Sequence, residues 1–319
     1  MIRALLCLSV MTLLALVLSL ATGSVNIALT EIWDVIQGES NALHRTLLWD
    51  LRLPRTLAAF ATGGLLALAG ALMQVLLRNP LADPYVLGLS GGAAVGALLA
   101  MLTGMGALLI SSSAFAGAML ATVLVFGLAH GTGSWTASRL LLTGVVVAAG
   151  WGAVITLILV LTPSYKLPGM LYWLMGDVSY ARTPLPALVV LVVATLVTLP
   201  LARKLNVLTR GPMQAAALGV SVRPLEWSIY LLASLLTATA VTTAGSIGFV
   251  GLIVPHMLRL VLGNDQRIIL PACALAGGTL LVLADTLART MIAPEQLPVG
   301  VITALLGVPT FLYLLHRSR

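Results

Sequence analysis

The chain has 319 residues, of which 60% are hydrophobic and 8% charged, with a mean hydropathy of +1.08. Soluble globular chains carry about 25% charge, so an ordinary soluble domain is excluded and an all-α polytopic membrane protein is indicated. The formal charge of +7 fits Lys and Arg in cytoplasmic loops rather than a nucleic-acid surface. At about 20 residues per crossing, the length allows about ten helices.

In chain order, Arg3 precedes an apolar run at 4–20. Ser19-Leu20-Ala21 could serve a signal peptidase, but the run is long for a signal segment, and a retained first helix is favoured. Residues 22–53 form the longest polar stretch, read as a periplasmic segment. In it Thr30 is expected to cap a short helix, with Glu31 and Asp34 in its first turn and Trp33 at the interface. Further apolar runs lie at 56–77, 85–103, 107–129, 140–162, 184–202, 227–244, 247–262, 268–288 and 299–315. Two five-helix halves would form an inverted repeat, because an odd number of crossings reverses the second half.

Gly92 and Gly96 form a GxxxG pair suited to close helix packing. Pro255 interrupts 247–262 and is expected to break or kink a helix there; lipid tolerates such a break only under protein cover. Gly263-Asn264-Asp265-Gln266-Arg267 makes a polar turn. The run after it ends in Asp285 and Arg289, four residues apart on one helix face and expected to pair. Segment 205–224 is too polar to span and long for a connector. A short helix from Gln214 to Leu218, ended by Gly219, is expected within it. With the N-terminus in the cytoplasm, 11 of the 17 Lys and Arg residues fall inside, which supports cytoplasmic termini.

Several chemistries are missing. There is no GxxxxGK[ST] for ATP phosphates and no HExxH or Cys/His cluster for a metal. His44, His130, His256 and His316 are scattered, and Cys7 and Cys273 sit within apolar runs and imply no disulfide framework. No cofactor or metal is expected. A proton-driven carrier needs buried acids or bases, and only Asp285 and Arg289 qualify. An intramembrane hydrolase needs a nucleophile–base or paired-acid arrangement, and none is visible. The energy source must then lie in another subunit.

The segments GSIGFVGLIVPH, GND-Q-R-II-LP, ADTLAR and LPVGVITALLGVPTFLYLL, together with LRLPRTLA at 51–58 and RNPLADPYVLGLSGG at 78–92, carry a specific resemblance. Over nearly all of its length the chain resembles the permease subunits of ATP-driven bacterial importers for ferric siderophores, haem and vitamin B12. The resemblance implies a single transmembrane domain over 1–319 in the inner membrane. It implies as partners a second copy of the permease, two cytoplasmic ATPase subunits and a periplasmic binding protein. The chain itself would catalyse nothing. Arg52, Arg55 and Arg289 match arginines that meet acidic residues of the binding protein; snorkelling is the bland alternative for Arg52 and Arg55. Asn79 and Leu81, with Ala137 and Ser138, match a cytoplasmic constriction; vitamin B12 permeases carry Thr at the position of Ala137.

The family rests its 205–224 loop on the ATPase, which assigns coupling to Gln214, Ala215, Leu218 and Gly219. Pro212 and Ala216 replace the family's charged residues there. Tyr172 to Asp177 would lie beside the outer mouth. Ferric siderophores are the leading expected cargo, because most relatives carry them. Vitamin B12 is close behind, since 5–23 and 138–144 look particularly like its permeases, and haem remains an alternative. A secondary carrier is the rival class.

Overall fold

A computed structural model describes residues 2–23, 25, 27–39, 41–130, 136–179, 181 and 183–317. The side chains of His130, Ala137, Leu315 and Arg317 lie outside that description, as do Arg182 and Arg319. The described chain forms α1 (Ile2–Ala21), α2 (Leu29–Gln37), α3 (Ala42–Thr46), a π-helical turn (Leu47–Arg52), α4 (Leu53–Leu76), a 3-10 turn (Pro84–Leu87), α5 (Leu89–Leu102) and α6 (Ala107–His130). It continues with α7 (Ala137–Leu161), α8 (Leu167–Met175), α9 (Leu185–Leu208), α10 (Pro212–Ala217), α11 (Val222–Ala244), α12 (Val250–Leu262), α13 (Gln266–Thr290) and α14 (Val299–Arg317). Seven helical stretches are long and apolar enough to cross a bilayer, and three shorter apolar helices accompany them. Together they match the count of about ten expected from length.

The bundle is built on α4. Lipid tails are as apolar as leucine, so helices in a bilayer are held together by close packing rather than by hydrophobicity. Gly63, Gly64, Ala67, Gly70 and Ala71 give α4 a surface with almost no relief, and all five are buried. A Cβ on Gly63 would lie 2.2 Å from Gly277 O of α13, and one on Gly70 would lie 1.8 Å from Gly251 O of α12. Any side chain at either position would push a neighbouring helix away. A second pair, α5 and α6, packs in the same way. Cβ atoms on Gly92 and Gly96 would meet Gly117 O at 2.4 Å and Ser113 O at 2.1 Å, so the GxxxG pair is a packing device. Large side chains such as Val123, Leu142, Val160 and Leu196 point outward from α6, α7 and α9, where lipid would cover them.

Three local expectations need correction. The break expected at Pro255 lies upstream: α11 ends at Gly245 (φ 69), residues 245–249 are non-helical, and Pro255 sits inside an intact α12. Proline there withholds one bond, to Gly251 O, and that carbonyl is pressed against Gly70 instead. The turn before α12 is closed by Phe249 at φ 70, a left-handed conformation that costs a non-glycine residue about 1–3 kcal/mol. The second correction is at α2. It begins at Leu29, with Ala28 N donating to Glu31 Oε2 at 2.8 Å, so Thr30 lies within the helix rather than capping it. The third is segment 205–224, which is helical at both ends, because α9 runs to Leu208 and α11 starts at Val222.

Candidate functional site

The expected site residues fall at two opposite ends of the bundle, joined by α4. At one end stand Arg52, Arg55 and Arg289. The π-helical turn Leu47–Arg52 runs directly into α4, and Pro54 occupies the first turn of that helix, where a missing N–H costs nothing. Arg52 and Arg55 thus leave the start of α4 three residues apart, while Arg289 comes from the last turn of α13.

Asp285, 0% exposed, is the anchor of this cluster. Arg55 donates to its Oδ1 from Nη2 at 2.8 Å and from Nε at 3.0 Å, a contact that joins residues 230 positions apart. Arg289 Nε lies 3.2 Å from Asp285 Oδ2, within ion-pair reach but not aligned as a hydrogen bond. Arg55 Nη1 also donates to Gln296 Oε1 at 2.6 Å.

The other two arginines clasp α1. Arg52 Nη1 donates to Leu20 O at 2.6 Å and Ala21 O at 3.2 Å, and its Nη2 donates to Val25 O. Leu20 and Ala21 lie in the last turn of α1, whose carbonyls lack intrahelical donors, and a cation there also suits the helix dipole. Arg289 Nη2 donates to Ser19 O at 3.1 Å and to Ser19 Oγ at 2.9 Å. Thr12, Ala15 and Ser19 form the buried face of α1. Thr12 and Ser19 add hydroxyl contacts of 2.8 Å to Thr279 and 2.9 Å to Thr56.

The three arginines matched to binding-protein contacts differ in exposure. Arg52 and Arg289 are each 6% exposed and point into protein. Arg55 is half-buried and is the member of the three that reaches the surface.

At the other end, Asn79 and Leu81 lie in the turn that follows α4. Leu81 N donates to Asn79 Oδ1 at 2.9 Å, and Ala82 N donates to Asn79 O at 3.1 Å. Asp83 caps the next turn by accepting from Tyr85 N at 2.7 Å. The start of α7 places Ser138 exposed, while the side chain of Ala137 is outside the described residues. Further along α7, a Cβ on Gly144 would sit 2.3 Å from Val86 O, so this helix lies directly on the 84–87 turn.

The short helix expected within segment 205–224 exists with shifted bounds. α10 spans Pro212–Ala217, and Gly219 takes the left-handed position after it at φ 80. Gln214 and Leu218 are exposed, but Ala215 is fully buried and holds α10 to the bundle. Ala215 is thus unavailable to a partner. Met213, 85% exposed, joins Leu218 as an apolar surface. Sequence reading missed Met213 because an apolar residue in a polar loop looks like an anchor, and its exposure depends on which face of α10 meets α9.

Residues 11–317 match the model of the FecCD transport family. The chain belongs to the FecCD transport family. It is 41% identical to a vitamin B12 import system permease protein, BtuC, of Shigella boydii, over 100% of this chain and 96% of that one. It is 40% identical to YvrB, an uncharacterized ABC transporter permease protein of Bacillus subtilis, over 96% of this chain and 91% of that one. A solved structure assigned to the metal-chelate type of ABC transporter, in an inward-facing conformation, superposes with a TM-score of 0.90 at 30% identity. That match covers 99% of this chain and 100% of the other. This FecCD chain is accordingly a polytopic permease, the transport component of an ABC importer.

Proposed function

We propose that this permease carries a cobalamin-type metal chelate inward, driven by ATP hydrolysis in separate subunits bound at the α10 end. Two copies of the chain would form the pathway between them. A soluble binding protein would deliver cargo at the Arg55 end. The observation that supports this reading best is the division of the bundle into two unlike ends. One pairs Arg55 and Arg289 with a single carboxylate, has Arg52 bonded to the carbonyls of Leu20, Ala21 and Val25, and so holds more positive than negative charge beside half-buried Arg55. The other exposes Met213 and Leu218 on a short helix held by Ala215.

Both described chain ends and α10 lie at the end of the bundle opposite the arginine cluster. With the arginines outside, both termini are cytoplasmic, in agreement with the charge bias. Segment 22–53 is then periplasmic and 209–221 cytoplasmic.

Cobalamin is favoured over the ferric siderophore because full-length relatives of stated cargo include vitamin B12 permeases. The test is uptake by proteoliposomes that hold the permease with its ATPase, supplied with the binding protein and either labelled cyanocobalamin or a labelled ferric siderophore. ATP-dependent uptake of cyanocobalamin alone is the expected result. Uptake of the siderophore alone would reverse the cargo assignment.

A further inference from the structure

The turn after α4 is folded around one side chain, Gln74. The backbone there closes as a Schellman motif, with Asn79 N donating to Gln74 O at 3.2 Å and Arg78 N donating to Val75 O at 3.3 Å. Arg78 holds φ 50, in the left-handed position that glycine usually fills. The Gln74 side chain then reaches the far end of the same turn, where Nε2 donates to Ala82 O at 3.3 Å. It also donates to Leu252 O of α12 at 3.1 Å. Its remaining oxygen accepts from Arg259 Nη1, and Arg259 Nη2 donates to Ala71 O at 3.4 Å. Gln74 is 4% exposed, and a buried amide stripped of its partners bears its full desolvation penalty.

A second clamp fixes the other end of α12. The turn from α12 to α13 is tied to α9, where Asn206 Nδ2 donates to Asp265 Oδ1 and Gln266 N donates to Asn206 Oδ1, both at 2.8 Å. Asn206 lies six residues before Pro212, the first residue of α10. α12 is therefore held at one point to the inner turn and at another to the root of the coupling segment.

We propose that Gln74 and Arg259 are positioning residues that transmit movement of the α10 region to the 78–83 turn through α12. The inference rests on the proposed function, in which α10 meets the ATPase, and on the inner constriction that the family resemblance implies for Asn79 and Leu81. It predicts that a shift of the α12–α13 turn drags Arg259, and through Gln74 the exit of the 78–83 turn.

The experiment follows the turn directly and needs no cargo. In a Cys7→Ser background, Pro80→Cys offers an exposed thiol, while Cys273 is buried and silent. Its maleimide labelling rate is measured in the full complex, nucleotide-free and trapped with ATP and vanadate. With Gln74 intact the rate should differ about tenfold between the two states. With Gln74→Leu the rates should become equal within about twofold, while ATP hydrolysis persists. Gln74→Glu, which keeps the acceptor for Arg259 but not the donor to Ala82, should behave like Gln74→Leu and serves if that variant does not assemble. Arg259→Gln should give an intermediate ratio. A nucleotide-dependent change that survives in Gln74→Leu or Gln74→Glu overturns the proposal and leaves the proposed function standing. Absence of any change with Gln74 intact overturns both.

Discussion

The two ends of α4, a helix of 24 residues and so about 36 Å long, solve the same problem with different chemistry. Each must hold polar groups inside an apolar bundle. The outer end does it with full charges, three arginines set around Asp285 and the C-terminus of α1. The inner end does it with one neutral amide, Gln74, that shares its bonds among the turn, α12 and Arg259. Breaking a buried ion pair from one side costs about 3–5 kcal/mol, whereas a typical hydrogen bond contributes about 0.5–1.5 kcal/mol. The outer end is held by the stronger interaction, and the inner end by several weaker bonds that tie the turn, α12 and Arg259 to one side chain. The asymmetry fits the proposed function, in which a partner docks at one end and the other end changes shape.

Removing the anchor of the outer end should have the largest effect. Asp285→Ala leaves Arg55 and Arg289 buried without their carboxylate and should destabilise the chain by about 3–5 kcal/mol, read as thermal unfolding in detergent. Asp285→Asn, which keeps an acceptor, should lose less. Equal stability of wild type and Asp285→Ala would show that the cluster is already satisfied by solvent.

The next effect is on docking. Arg55→Glu should weaken binding of the soluble partner by about 2–5 kcal/mol, and the loss should grow as salt is lowered. Arg52→Gln should instead loosen α1 and lower the unfolding temperature with little change in partner affinity. If the two variants exchanged these phenotypes, the division of labour within the cluster would be wrong.

At the inner end, Leu218→Asp should release the ATPase on purification while leaving the permease folded. Ala215→Asp should fail differently, by unfolding α10 from the bundle, because that position is fully buried. ATPase retention by Leu218→Asp would place the coupling surface elsewhere.

The smallest effect is a pH dependence at the α9–α13 clamp. The hydrogen bond from Asn206, helped by those from Arg267, holds the Asp265 carboxyl below the usual carboxylate range. Its folded-state pKa is depressed, so its stabilisation is present at neutral pH. That contribution is lost as pH falls through the lowered value, below the ordinary pKa of about 3.9. The group is partly exposed, so less than about 1 kcal/mol is expected. Comparing unfolding temperatures of wild type and Asp265→Asn while acidifying from neutrality reads it, with the wild type losing more. Parallel curves would remove the clamp from the account.

Much of this fold was legible because lipid imposes simple rules. Runs of apolar residues set the helices in order, and Gly92 and Gly96 packed as their spacing suggested. The break was misplaced at Pro255 because proline is a visible breaker. Here the break was made by Gly245 and by Phe249, a residue whose left-handed backbone has no sequence signature. The ion pair of Asp285 with Arg289 was visible as an i,i+4 spacing. Its pairing with Arg55 was not, because that contact joins residues 230 apart. The resemblance brought the three arginines together without telling which of them faced inward. Gln74 drew no notice at all: a lone glutamine in a glycine-rich helix gains meaning only from the carbonyls of Ala82 and Leu252 around it.

The source of energy separates an ATP-driven importer from a secondary carrier. Proteoliposomes holding the permease with its ATPase and enclosed ATP, with binding protein and labelled cyanocobalamin outside, separate the possibilities in one assay. Uptake that requires the ATPase and ATP, and persists when a protonophore collapses the proton gradient, is the predicted result. Uptake that continues without the ATPase and stops with the protonophore would contradict it and make the chain a secondary carrier.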